Sequence, residues 1–191
     1  MPSNDLISLK DLNIKISALF ALLLGQRVQT ITCLDIDYMK ISHVGLEIVF
    51  SKLLKTSRMG RHLPKTILPK WPDESLCPVS LFEHYLKRTE LIRGPEKQLL
   101  VTSVKPHRKA SRDTVARWIK DAIKESGIDA EYYKAHSTRS ASVSKASNSV
   151  PLNVVLQAAG WANAQTFAKH YKRPIEEASA FAKAILNMQD V

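Results

Sequence analysis

Cysteine is scarce. Cys33 and Cys77 are the only two, far apart, with no C-x-x-C pair and no histidine cluster beside either. That argues against a disulfide scaffold and against a zinc site, and fits a reducing, intracellular compartment. Long apolar runs are missing as well. The run 18–25 is too short to span a bilayer. Asp5 and Asp11 lie ahead of it and no small-residue cleavage site follows, which argues against a secretory signal, so no membrane partner is expected. Neither an internal repeat nor a low-complexity tract is visible. Acidic residues are in deficit, 18 Asp and Glu against 28 Lys and Arg, leaving a net charge of +10. The basic residues are scattered through the chain rather than gathered in a tail. An acidic polymer, nucleic acid, is therefore the expected partner.

What is present suits one folded domain. The 191 residues are 45% hydrophobic, enough to bury a core. Their order reads as α+β, mainly α-helical, with a small antiparallel hairpin or sheet on one side. Ser8 reads as an N-cap with Asp11 three residues on. Leu9, Leu12, Ile16, Leu19 and Leu23 then fall at helical spacing up to Gly25, a helix stop. Residues 38–68 read as strands, with an apolar run over 46–54, a second over 62–68, and a basic turn KTSRMGR between them. That turn suits a solvated hairpin or one that grips phosphates.

Pro78 opens a helix predicted to reach about Arg93, with Val79, Phe82, Tyr85 and Leu86 on its apolar side and Gly94-Pro95 as its stop. Residues 99–102 read as a strand or a buried extended segment. Ser111 caps a helix carrying Val115, Trp118, Ile119, Ala122 and Ile123, closed by Gly127. Lys105, His107, Arg108, Lys109 and Arg112 cluster at its entry. They form either a solvated loop or an anion contact, since a helix N-terminus beside basic side chains attracts phosphate. Pro174 begins a last helix, predicted over 174–190, with Ile175, Ala178, Phe181, Ile185 and Met188 on one face.

Chemistry concentrates in residues 135–174, AHSTRSASVSKASNSVPLNVVLQAAGWANAQTFAKHYKRP, which read as three short helices. His136 and Arg139 are three apart and so share a helix face, about 5–6 Å between Cβ atoms. Asn148, Ser149 and Pro151 break the first helix and Gly160 ends the second. Trp161 opens a turn, and Tyr171 closes the third helix beside Lys172 and Arg173. A phenol with a pKa of about 10 is a poor nucleophile at neutral pH. Fixed cations and an imidazole around it are one way to activate it.

In that order, H-x-x-R, G-W and T-F-x-x-H-Y resemble the C-terminal signature of the tyrosine recombinases, the superfamily of lambda integrase and Cre. AHSTR, AAGW and TF…HY-x-R-P are more particularly similar to the recombinases of DIRS-type retrotransposons. The likeness extends upstream over residues about 8 to 190. LLLGQRVQTITCLDID is similar to the family's leucine-rich helix, glycine and arginine, which matches Arg27 to the first catalytic arginine. LKTSR matches Lys55 to the hairpin lysine, with Lys52 as its competitor. There are three departures: Thr30 stands where the family usually has an acid, Trp161 stands where many members have histidine, and one extra residue separates Trp161 from Tyr171 relative to the bacterial enzymes.

The resemblance implies a catalytic set of Arg27, Lys55, His136, Arg139, Trp161 and Tyr171. It also implies DNA strand transfer through a 3′-phosphotyrosyl link at Tyr171, with neither cofactor nor metal. Lys52, Arg58, Arg61, Lys105, Arg108, Lys109 and Arg112 are the expected DNA-binding residues. The partner is double-stranded DNA. The last helix either packs on its own domain or, as in the family, docks on a neighbour to build a homotetramer on DNA. The expectation is a single catalytic domain, 1–191, made of a core over 8–173 and a C-terminal helix over 174–190, without an N-terminal core-binding domain. A eukaryotic retroelement would place it in the nucleus. Two other readings stay open, a catalytically inactive DNA-binding remnant and a type IB topoisomerase-like nicking enzyme.

Overall fold

The fold is organised on α1 (Leu9–Leu24), and Ser8 fixes its first turn. The Ser8 hydroxyl accepts from the Asp11 N–H at 3.1 Å and donates to the Asp11 carboxylate at 2.6 Å. Gly25 ends the helix in the left-handed conformation, φ 57°. The computed structural model describes residues 4, 6–54, 57, 59, 65–161 and 164–170. After α1 the helices are α2 (Val28–Thr32), α3 (Pro78–Thr89), α4 (Arg112–Glu125), α5 (Ala135–Ala146), α6 (Leu152–Ala159) and α7 (Ala164–His170).

Helix α1 packs against α3, α4 and α5. Leu12, Ile16, Phe20 and Leu24 are buried along it, with Ile14 and Ala21 beside them. The apolar face is rotated from the sequence expectation: Leu9 and Leu19 are only partly covered and Leu23 is 47% exposed. Helices α3, α4 and α5 cover α1 on more than one side, so a single stripe does not describe its burial. Asn13 is fully buried, and its Oδ1 accepts from the Tyr85 hydroxyl at 2.7 Å.

Strands β1 (Met39–Ser42), β2 (Gly45–Ile48) and β3 (Thr66–Leu68) form one antiparallel sheet in chain order. Gly45 is required at the β1–β2 turn. Its φ is 140°, and a Cβ there would lie 2.2 Å from the Leu68 carbonyl oxygen. The strands are shorter than the apolar run over 46–54 suggested. β1 begins at Met39, opposite Ile48; beyond that pair Val49 N–H still donates to the Tyr38 carbonyl at 2.9 Å, where the partner chain is already a helical turn. Phe50 and Leu54 turn into the core instead. Lys52, expected on this strand, lies beyond it on the surface.

Helix α3 stops at Thr89, four residues before the expected Arg93, because Arg93 turns inward. Its guanidinium donates to the carbonyls of Gln98 at 3.1 Å and Leu99 at 3.3 Å and to the Thr89 hydroxyl at 2.5 Å. This pins the buried extended segment Leu99–Leu100–Val101 against the core. Ser111 caps α4 through the Thr114 N–H at 3.2 Å, and Trp118 is core, 5% exposed. A second, smaller cluster of Val143, Val155, Ala159, Trp161 and Phe167 joins α5, α6 and α7.

Candidate active site

Arg27 emerges from the stop of α1. Gly25 reverses the chain, Gln26 is buried, and Arg27 becomes the half-buried N-cap of α2. The junction is pressed on α5, since a Cβ on Gly25 would meet Val143 Cγ2 at 3.5 Å. Helix α5 carries His136 near its start and Arg139 one turn later. Arg139 is fully buried. Its Nη2 donates to the Ala159 carbonyl at 2.9 Å, and its guanidinium lies 4.7 Å from the centre of the Trp161 ring. Trp161 is 6% exposed and packs on Phe167, ring centres 6.1 Å apart.

The end of α6 explains this convergence. A helix leaves its last four carbonyls without intrahelical partners. Here the Leu156 carbonyl accepts from Trp161 N–H at 2.9 Å and that of Gln157 from Gly160 N–H at 3.1 Å, with Gly160 left-handed at φ 68°. The other two are met by side chains. Ala158 accepts from Gln26 Nε2 and Ala159 from Arg139. A guanidinium also suits the negative end of the helix dipole. Gln26 was not anticipated from sequence. Its position between a helix-stopping glycine and Arg27 is the one signal that could have drawn notice.

His136 is placed between charges. Partial burial first, then the charge of Arg139, then that of Arg27, hold its imidazole below the ordinary value of 6.5. The ring, still in contact with solvent, is therefore neutral at neutral pH. Thr30 is 5% exposed, and its hydroxyl points to Gln26 Oε1 at 3.5 Å. The structure thus gathers Arg27, His136, Arg139 and Trp161, from three separate chain segments, into one neighbourhood.

The other expected residues fall into two groups. Lys55, Arg58, Arg61, Tyr171 and the helix expected over 174–190 lie outside the described residues. Lys105, Arg108, Lys109 and Arg112 are exposed. The first three ride a turn closed by Thr102 N–H to the Arg108 carbonyl and Ala110 N–H to the Leu100 carbonyl, both 2.8 Å. Arg112 opens α4 and lies 3.5 Å from the Asp113 carboxylate. Among the described residues no three His, Cys, Asp or Glu side chains gather as metal ligands, and no helix is long and apolar enough to cross a membrane. A half-open apolar cleft of about 840 Å³ between α1, α4 and α5, lined by Ala18, Leu22, Ile123 and Ala141 among others, contains none of the candidate residues.

The sequence profile of the phage integrase family matches residues 4–177. No curated protein sequence matches the chain. Among solved structures, XerA recombinase superposes with a TM-score of 0.63 at 16% identity, covering 100% of this chain and 67% of that one. XerH site-specific recombinase bound to its difH substrate, in a pre-cleavage complex, gives 0.67 at 15% identity, covering 97% of this chain and 49% of the other. A lambda integrase dimer bound to a COC′ core site gives 0.53 at 20% identity, covering 86% and 43%. These likenesses establish the fold, mainly helical with a small three-stranded antiparallel sheet. The chain spans about two thirds of the XerA chain and half of the XerH chain.

Proposed function

This chain belongs to the phage integrase family, the tyrosine recombinases, and on that premise we propose that it cuts and rejoins double-stranded DNA through a 3′-phosphotyrosyl intermediate at Tyr171. The observation that carries the proposal is the convergence of Arg27, His136 and Arg139 beside Trp161. A phosphodiester under attack gathers negative charge on its non-bridging oxygens, and two guanidinium groups offer forked donors to them. His136, neutral at working pH, takes the proton of the attacking phenol. Lys55 protonates the departing 5′ oxygen. Tyr171 holds the 3′ phosphate until a second 5′-hydroxyl displaces it, with the bond energy conserved in the covalent link. Lys52, Arg58, Arg61, Lys105, Arg108, Lys109 and Arg112 hold the flanking backbone. The wording of AHSTR, LKTSR and AAGW supports a DIRS-like retroelement as the source, and the helical spacing of apolar residues in the sequence over 175–188 supports assembly of a tetramer on DNA through that segment.

The test is a nicked suicide duplex scored for a covalent adduct. Adduct with the unaltered chain and none with Tyr171→Phe supports the proposal. Adduct that persists in the Phe variant moves the nucleophile elsewhere. A second reading, a DNA-binding remnant without catalysis, is favoured by one observation: Arg139 is fully buried and engaged by Ala159 and Trp161. Duplex binding with no adduct from the unaltered chain would select it. Relaxation of supercoiled DNA without joining of two duplexes would instead select a topoisomerase-like nicking enzyme.

A further inference from the structure

Four observations meet on Gln26. It is 4% exposed. Its Nε2 donates to the Ala158 carbonyl, 132 positions along the chain. Its Oε1 accepts from the Thr30 hydroxyl at 3.5 Å. Its neighbours are the left-handed Gly25 and the N-cap Arg27. A carboxamide both donates and accepts, so one side chain spans from α2 to the carbonyl end of α6. The next carbonyl along α6 belongs to Ala159, and Arg139 holds it at 2.9 Å. The backbone of residue 27 and the guanidinium of residue 139 are therefore tied to adjacent peptide units of one helix end.

We infer that Gln26 is a positioning residue: by pinning the α1–α2 junction to the end of α6 it sets the spacing of Arg27 from the Arg139–Trp161 pair. Thr30 backs it, its hydroxyl donating to the Gln26 Oε1. The catalytic meaning of that spacing rests on the recombinase reading; the spacing itself does not. Two features speak for an assigned role over incidental burial. The amide is used at both ends, and its donor end completes a set of four carbonyls that are otherwise all satisfied.

The test reads the spacing directly. Burial bears most on the titration of His136, then the charge of Arg139 and then that of Arg27, so withdrawal of Arg27 moves the imidazole in one known direction. The His136 ring resonances are titrated by NMR in the unaltered chain, in Gln26→Ala and in Thr30→Val, each first checked for folding by circular dichroism. Release of Arg27 should move the midpoint up toward 6.5 in Gln26→Ala, and less far in the same direction in Thr30→Val. Single-turnover cleavage should slow on the order of 10-fold with duplex affinity within about twofold, the signature of misplacement rather than lost binding. A midpoint that stays at the unaltered value in Gln26→Ala overturns the inference. If that variant does not fold, an unmoved midpoint in Thr30→Val does so. Absence of adduct from the unaltered chain would sink the recombinase reading instead, and the titration would still decide the role of Gln26.

Discussion

Arg139 lies face-on to Trp161, its guanidinium carbon 4.7 Å from the ring centre, and both side chains are buried. A cation over an indole away from water is worth about 2 kcal/mol. The hydrogen bond to the Ala159 carbonyl adds a directional restraint. Together they fix a long, rotamer-rich side chain in one pose, so the donors of Arg139 are oriented before any anion arrives. Arg139→Ala should slow adduct formation at least about 10²-fold, the usual result of losing one donor to developing charge. Duplex affinity should fall less, because other cations remain. A loss of affinity as large as the loss of rate would reduce Arg139 to a phosphate anchor.

His136 predicts a pH dependence of definite sign. Its folded pKa lies below 6.5. As pH falls through 6.5, the unfolded chain takes up this proton before the folded one does. The contribution to stability is thus complete above 6.5 and is lost as pH falls toward the folded value. Urea denaturation from about pH 7.5 to about pH 5 should show His136→Gln losing less stability than the unaltered chain. If His136 takes the phenol proton as proposed, the midpoint of the acid decline in cleavage should fall below pH 6.5. A rate already halved at pH 6.5 would contradict the lowered pKa.

The turn ahead of α4 makes a prediction in salt. If Lys105, Arg108 and Lys109 each neutralise a phosphate, duplex affinity falls by about 0.9 in log–log slope for every contact. The triple alanine variant should flatten the slope by between about two and three. An unchanged slope would leave the three as solvated surface cations.

Gly45 predicts a purely structural effect. Gly45→Ala places a methyl group where the Leu68 carbonyl oxygen already sits, in a backbone region that only glycine occupies readily. The backbone term alone is about 1–3 kcal/mol, and the β1–β2 turn must open besides. Denaturant melts should show a clear loss. A melt indistinguishable from the unaltered chain would mean that the turn adopts another geometry in solution.

Much of this was legible in sequence where the cause is local. Ser8, Gly25, Ser111 and Gly160 begin or end helices by chemistry within four residues of themselves, and each sits where the motif predicts. The adjacency of His136 and Arg139 needs only a helical period. What escaped was set by distant partners. Leu23 is outward because the helices packed on α1 cover other faces of it, which a stripe read from spacing does not encode. The chain leaves the sheet after Ile48 because β1 begins opposite it, at Met39. Gln26 has no local motif at all: its partner is Ala158, and only the folded chain brings the two together.

Arg93 carries a last consequence. Its buried guanidinium holds the carbonyls of Gln98 and Leu99 from below, and the chain continues from there through Val101 into the turn bearing Lys105, Arg108 and Lys109. Ordering a residue's backbone costs about 1–2 kcal/mol in conformational entropy. That ordering is completed at the root of this turn when the protein folds, so an anion arriving at the three cations meets a rooted turn rather than a loose strand. A calorimeter should accordingly find the entropy of anion capture there dominated by released counterions and water rather than by stiffening of the chain.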